Sequence, residues 1–202
     1  MNKKGILIVV SAPSGCGKGT VLSEILKDES FYYSVSAATR QPREGEINGV
    51  HYNFMSKEEF ENHINNGDML EYAQYCGNYY GTLKNQVDEK LNEGKNVILE
   101  IEVQGAGKIR KIRPEAVFIF ILPPSVKELR RRLNKRGTES EEVINARVAE
   151  AANEIRQAVN YDYIIVNDEL ADAVEDFRSV IKAEKLKTVC SENIIDEVLE
   201  NA

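Results

Sequence analysis

Apolar positions in this chain fall into two patterns, short continuous runs and stripes at helical spacing. Ile6-Leu7-Ile8-Val9-Val10 is an unbroken, largely β-branched run, the pattern of a parallel strand covered on both faces. Residues 97–101, 117–122 and 163–166 repeat it. A helical pattern with Val21, Leu22, Ile25 and Leu26 follows the first run. Further helices are predicted over residues 83–93, 103–111, 126–135, 140–159 and 170–186. Strands alternating with helices predict right-handed βαβ units, and so an α/β fold with a parallel β-sheet flanked by helices.

Two stretches break that rhythm. Residues 34–81 hold Tyr52, Phe54, Phe60, Tyr72, Tyr75, Tyr79 and Tyr80 in short alternating segments, with one helix over residues 57–65. They predict an inserted subdomain of mixed α/β character. Residues 136–147 are charged, with Val143-Ile144 as the one sizeable apolar pair. So little apolar surface predicts a small, mobile insertion without a core of its own. At the end of the chain, Ile194, Ile195, Val198 and Leu199 predict a short amphipathic helix within residues 188–202.

Composition narrows the class. In 202 residues, Lys+Arg 26 against Asp+Glu 33 leaves a net charge of −7, and 42% of residues are hydrophobic. The chain is long enough for one domain or slightly more, and its apolar fraction supports a real core. No apolar run approaches the ~20 residues of a membrane span, and the N-terminus reads as a strand, not a signal peptide. Net acidity argues against nucleic-acid polymers and anionic membranes as partners. Cys16, Cys76 and Cys190 are few, odd in number and far apart, which suits a reducing, cytoplasmic setting. His51 and His63 have no neighbours at metal-ligand spacing.

The first run ends in Ala12-Pro13-Ser14-Gly15-Cys16-Gly17-Lys18-Gly19-Thr20. Lying between a strand and a helix, this segment matches a phosphate-binding P-loop. Gly15 and Gly17 let successive backbone N–H groups turn onto phosphate oxygens. The helix N-terminus adds partial positive charge, and Lys18 adds a full one near the β- and γ-phosphates. Two departures stand out: Ala12 replaces the first glycine of the pattern, and Gly19 replaces the hydroxyl that usually reaches magnesium. The second predicts no direct Mg²⁺ ligand from this loop and leaves Thr20 for the α-phosphate.

Arg40 and Arg43 flank Pro42, which holds Gln41 out of helix. Two guanidinium forks three residues apart can clamp one phosphate. Glu100 and Glu102 sit two apart at the C-terminal end of an apolar strand, on one face and where ligands bind in open α/β sheets.

Together with S-x-x-T-R-x-P-R-x-G-E, Y-N-F, E-Y-A-x-x-x-G-N-Y-Y-G-T, L-E-I-E-V-Q-G, P-P-S and R-G-T-E-S, the P-loop makes the chain resemble the guanylate kinases. Ile144-Asn145-Ala146-Arg147 and Val166-Asn167-Asp168 complete the match, which runs in family order from about residue 5 to 187. The resemblance implies a P-loop kinase core (1–33, 84–125 and 151–202), a GMP-binding insert (34–83) and a lid (126–150). It implies transfer of the ATP γ-phosphoryl group to GMP, with Mg²⁺ as cofactor and no obligate protein partner.

By the same resemblance, Ser36, Arg40, Arg43, Tyr52 and Tyr80 hold GMP, the last four gripping its phosphate, and Glu71 reads guanine. A carboxylate accepts from guanine N1–H and N2–H₂ together, whereas adenine would leave it desolvated and unpaired. Ser36 and Thr82 can serve guanine O6 and N7. Glu102 lies near the guanine or its ribose, and Glu100 lies near Mg²⁺, directly or through water. Relatives commonly carry aspartates at these two positions. Arg132, Arg136 and Arg147 match lid arginines that meet charge on the transferring group, and Asn167 and Asp168 match the adenine-side loop. Two other readings use the same residues: a kinase for another nucleoside monophosphate, and a guanylate-kinase-like binding module that has lost catalysis. In this P-loop position Cys16 also predicts sensitivity of activity to thiol reagents.

Overall fold

A computed structural model describes residues 4–135, 140–190 and 192–200. In chain order its elements are β1 (Leu7–Ser11), α1 (Lys18–Ile25), β2 (Phe31–Tyr33), β3 (Ala37–Ala38), β4 (Asn53–Phe54), α2 (Lys57–Asn65), β5 (Met69–Tyr75) and β6 (Asn78–Leu83). They continue with α3 (Lys84–Asn92), β7 (Asn96–Glu100), α4 (Val103–Ile112), β8 (Val117–Leu122), α5 (Val126–Lys135) and α6 (Glu141–Arg156). The last are β9 (Tyr163–Val166), α7 (Leu170–Lys185) and α8 (Glu192–Glu200). The chain forms two compact units, one of Asn2–Ser11 and Glu29–Phe118, the other of Ala12–Asp28 and Ile119–Ala202.

In the first unit β7 pairs in parallel with β1 on one side and β2 on the other, with Leu7 opposite Val97 and Phe31 opposite Asn96. Val97, Ile98 and Leu99 are fully buried, as expected of a strand covered on both faces. A second sheet, in the order β4-β3-β6-β5, comes from the aromatic stretch. Its β5–β6 hairpin turns at Cys76 and Gly77, with φ of +48° and +77°. Two consecutive positive φ values match the twist of a two-residue hairpin turn. α2 begins in a capping box, in which the Ser56 hydroxyl accepts from the Glu59 amide and the Glu59 carboxylate accepts from the Ser56 amide.

In the second unit β8 and β9 pair in parallel, Ile119 opposite Tyr163. Leu129 and Leu133 of α5 pack with Ile144 and Ala151 of α6, and Val148 closes the cluster. Ile144 thus finds its apolar partners on the preceding helix and further along α6, outside the charged stretch, as expected of a segment without a core of its own.

The α/β class with parallel core strands flanked by helices agrees with the pattern of apolar runs. β2 was not predicted, because three half-buried residues, Phe31, Tyr32 and Tyr33, are too short a run to show a period. The helix expected over 140–159 stops at Arg156 and tightens into a 3₁₀ turn, Gln157–Asn160.

Candidate active site

Within the second unit, the P-loop is shaped by two left-handed glycines. Gly15 has φ +91° and Gly17, the N-cap of α1, has φ +90°. A Cβ on Gly17 would lie 2.5 Å from Asn167 Nδ2, and one on Gly15 would lie 2.7 Å from Leu133 Cδ2. Both positions therefore exclude side chains by backbone conformation and by space. The Cys16 carbonyl accepts from Asn167 Nδ2 at 2.8 Å and from Arg132 Nη1 at 3.2 Å. Arg132 also donates to the Asn167 carbonyl at 2.9 Å and the Asp168 carbonyl at 3.4 Å, while its Nε bonds Glu128 at 2.8 Å. Arg147 Nη1 donates to Ser14 Oγ at 3.1 Å.

These bonds bring three predicted residues, Arg132, Arg147 and Asn167, to the loop. Ala12 and Lys18 are half-buried, Pro13 is buried, and Ser14, Gly19 and Thr20 are exposed. Arg136 lies outside the described residues. Cys16 is buried, and that burial pushes its thiol up from the ordinary range. A buried thiol with a raised pKa is a poor nucleophile, which argues against a reagent-sensitive Cys16.

In the first unit, a cavity of about 580 Å³ is lined by Ser36, Arg40, Arg43, Tyr52, Glu71 and Tyr80, and also by Glu100 and Glu102. That volume suits a nucleotide-sized ligand. Glu71 is 8% exposed and accepts from Thr82 Oγ1 at 2.9 Å. Burial pushes its carboxyl above the usual carboxylate range, against the Thr82 bond and the charge of Lys108. Thr82 sits behind the cavity wall, buried, with its hydroxyl proton committed to Glu71.

Arg40 is held by both oxygens of Glu46, at 2.5 and 2.7 Å, and lies over the Tyr52 and Phe54 rings, 4.9 and 5.4 Å from their centroids. The Glu46 carboxylate also accepts from the Arg43 amide at 2.7 Å. These bonds, that to Arg40 foremost, hold its carboxyl down to about 2. Tyr52 and Tyr80 meet edge to face, centroids 6.0 Å apart.

The family model for guanylate kinase matches residues 4–184. The chain belongs to the guanylate kinase family. It is 53% identical over 197 residues to the guanylate kinase of Clostridium tetani (strain Massachusetts / E88), a match covering 98% of this chain and 93% of that protein. Over 190 residues it is 52% identical to the guanylate kinase of Listeria monocytogenes serotype 4b (strain F2365), covering 93% of each. The crystal structure of guanylate kinase from Anaplasma phagocytophilum is 35% identical, with a TM-score of 0.73 over 93% of this chain and 89% of that one.

Guanylate kinases work on two polyanions, which makes the metal question concrete. Among the described residues no group of three or more His, Cys, Asp or Glu could hold a metal ion. Glu100 is a single carboxylate, and it accepts from Tyr33 OH at 3.1 Å. One carboxylate fits Mg²⁺, which takes one or two from protein and the rest from phosphates and water. Among the described residues no helix is long and apolar enough to cross a membrane. Tyr33, Glu46, Lys108 and Glu128 were not singled out from the sequence. Only Glu128 carried a readable signal, standing three and four residues before the arginines it bonds, Arg131 and Arg132.

Proposed function

We propose that this chain transfers the γ-phosphoryl group of ATP to the 5′-phosphate of GMP, and of dGMP, giving ADP and GDP or dGDP. The observation that carries this reading is a buried carboxylate, Glu71, in the same cavity as a guanidinium pair and two tyrosines. The cavity has one end fit for guanine donors and another fit for a phosphate.

In this reading Arg40, Arg43, Tyr52 and Tyr80 hold the GMP phosphate, and Glu71, oriented by Thr82, accepts from guanine N1–H and N2–H₂. Ser36 serves guanine O6, and Glu102 lies by the base or ribose. The segment from Ala12 to Thr20 takes the ATP phosphates, with Lys18 on the β- and γ-oxygens, and Asn167 and Asp168 flank the adenine. Arg132, Arg136 and Arg147 offset negative charge on the transferring group. Functionally the chain divides into a core (1–33, 84–125 and 151–202), a GMP-binding insert (34–83) and a lid (126–150).

The nucleophile is a phosphate oxygen whose second pKa is near ~6, so it is ionised at neutral pH and no general base is required. The protein's contribution is positioning and charge compensation. Glu100 would hold Mg²⁺ together with water. The ion, when bound, neutralises charge on the nucleotide phosphates. Free Cys16 and Cys76 thiols support a cytoplasmic setting.

The competing kinase reading differs in the acceptor base, and the binding-module reading differs in the P-loop. Lys18 and the left-handed Gly15 and Gly17 support a working loop. Steady-state rates with GMP, dGMP, AMP and UMP test the proposal. GMP turnover should be fastest, and faster turnover of AMP would sink it. Lys18→Ala should abolish transfer while sparing GMP binding.

A further inference from the structure

Glu71 is backed by α4, and that helix brings a cation to it. A Cβ on Gly105 would stand 3.3 Å from Glu71 Oε2, so the helix backbone approaches the carboxylate with no side chain between. Three residues on, Lys108 donates from Nζ to the carbonyl of Tyr72, the residue that follows Glu71. The same ammonium lies 5.7 Å from the centroid of the Tyr72 ring. A glycine and a lysine three apart share a helix face. Here the first admits the carboxylate and the second ties down the adjacent peptide.

We infer that Lys108 is a positioning residue for Glu71: its bond to the Tyr72 carbonyl holds the ammonium of α4 in place, and so keeps positive charge beside the carboxylate that meets the acceptor base. The inference rests on the proposed guanine-reading role of Glu71. The groups facing Glu71 are the Thr82 hydroxyl from β6, Lys108 from α4 and Glu102 from the turn between β7 and α4. Burial and Glu102 disfavour the ionised carboxylate, while Thr82 and Lys108 favour it. Ionisation matters because guanine presents two donors at this edge. A protonated carboxyl would set a third donor against them.

The test measures KM for GMP and for ATP from about pH 5.5 to about pH 9 in the native chain, Lys108→Met, Lys108→Gln and Lys108→Arg. Removing the charge raises the Glu71 pKa further, so GMP binding should weaken first at acid pH. The GMP profile of Lys108→Met should move up by about one pH unit. That makes KM for GMP higher toward the acid end, by at most about ten-fold, and close to native at the alkaline end. KM for ATP should not change. Lys108→Gln, which keeps a donor for the Tyr72 carbonyl without the charge, should behave as Lys108→Met, and Lys108→Arg should restore the native profile.

Superimposable GMP profiles for native and Lys108→Met overturn the inference, and so does a rise in KM that is the same at every pH. Glu71→Gln separates this inference from the reading beneath it. If Glu71→Gln keeps native preference for GMP over AMP, the guanine-reading role fails. If Glu71→Gln loses that preference while Lys108→Met is silent, the role of Lys108 alone fails.

Discussion

Asn167 Nδ2 donates to the Cys16 carbonyl across 2.8 Å, so a residue just past β9 holds the P-loop by its backbone. The same amide nitrogen fills the space a Gly17 Cβ would need, 2.5 Å away. Loop shape and Asn167 are therefore coupled. Asn167→Ala should raise KM for ATP by about ten-fold, the scale of one buried hydrogen bond lost, and leave GMP affinity unchanged. Asn167→Asp should be worse, because it sets an acceptor against an acceptor. Isothermal titration of each variant with each nucleotide checks the split. Equal weakening of both ligands contradicts it.

Glu71 couples stability to function. Its folded-state carboxyl lies above the ordinary 4.5, so the unfolded chain ionises first as pH rises. Above the raised folded value, the native state carries the full cost of a buried charge. Below about 4.5 that cost is absent. Glu71→Gln should accordingly raise Tm at neutral pH, by about 2–4 °C for each kcal/mol recovered in a chain this size, and bring no gain near pH 4. GMP binding should fall in the same variant. Thermal unfolding at both pH values decides whether the gain depends on ionisation.

The Arg40–Glu46 pair has the opposite sign. The Glu46 carboxyl is lowered to about 2, so its contribution is complete above the ordinary 4.5 and is lost as pH falls through about 2. The loop carrying Arg40 and Arg43 should therefore stay in place at pH 4. A carboxyl titration by NMR should find Glu46 still ionised there. A midpoint near 4.5 would show that the pair does not form in solution.

Thiol chemistry should distinguish Cys76 from Cys16. Cys76 stands exposed at the tip of the β5–β6 hairpin, and Cys16 is buried under the P-loop with a raised pKa. Alkylation followed by peptide mapping should label Cys76 first and leave Cys16 and GMP phosphorylation largely intact. Loss of activity in step with Cys16 labelling would overturn this.

The periodicity of the chain carries the architecture because burial on two faces requires continuous apolar runs, as in β1, β7 and β8; β9 has the same apolar run, but Ile164 and Val166 are exposed, so the expectation of a buried strand there is corrected. Helix stripes did the same for α2 through α7, since 3.6-residue spacing puts one face toward a core. Motif spacing carried most of the candidate site. Ser36, Arg40, Arg43, Tyr52, Glu71 and Tyr80, all within motifs, line one cavity. β2 escaped notice because three residues are too few to show a period.

What the sequence by itself determined was the longer elements, the P-loop and the chemical types of the site residues, because these depend on neighbours a few positions apart. Tertiary structure alone decided who holds whom. The Thr82 hydroxyl is spent on Glu71, Glu46 occupies Arg40, and Asn167 reaches Cys16 across 151 positions. Lys108, 36 positions beyond Tyr72, meets its carbonyl. No local periodicity encodes such pairs. They follow from packing that, within each unit, brings polar groups together, where each buried one must find a partner or carry the cost of lacking one.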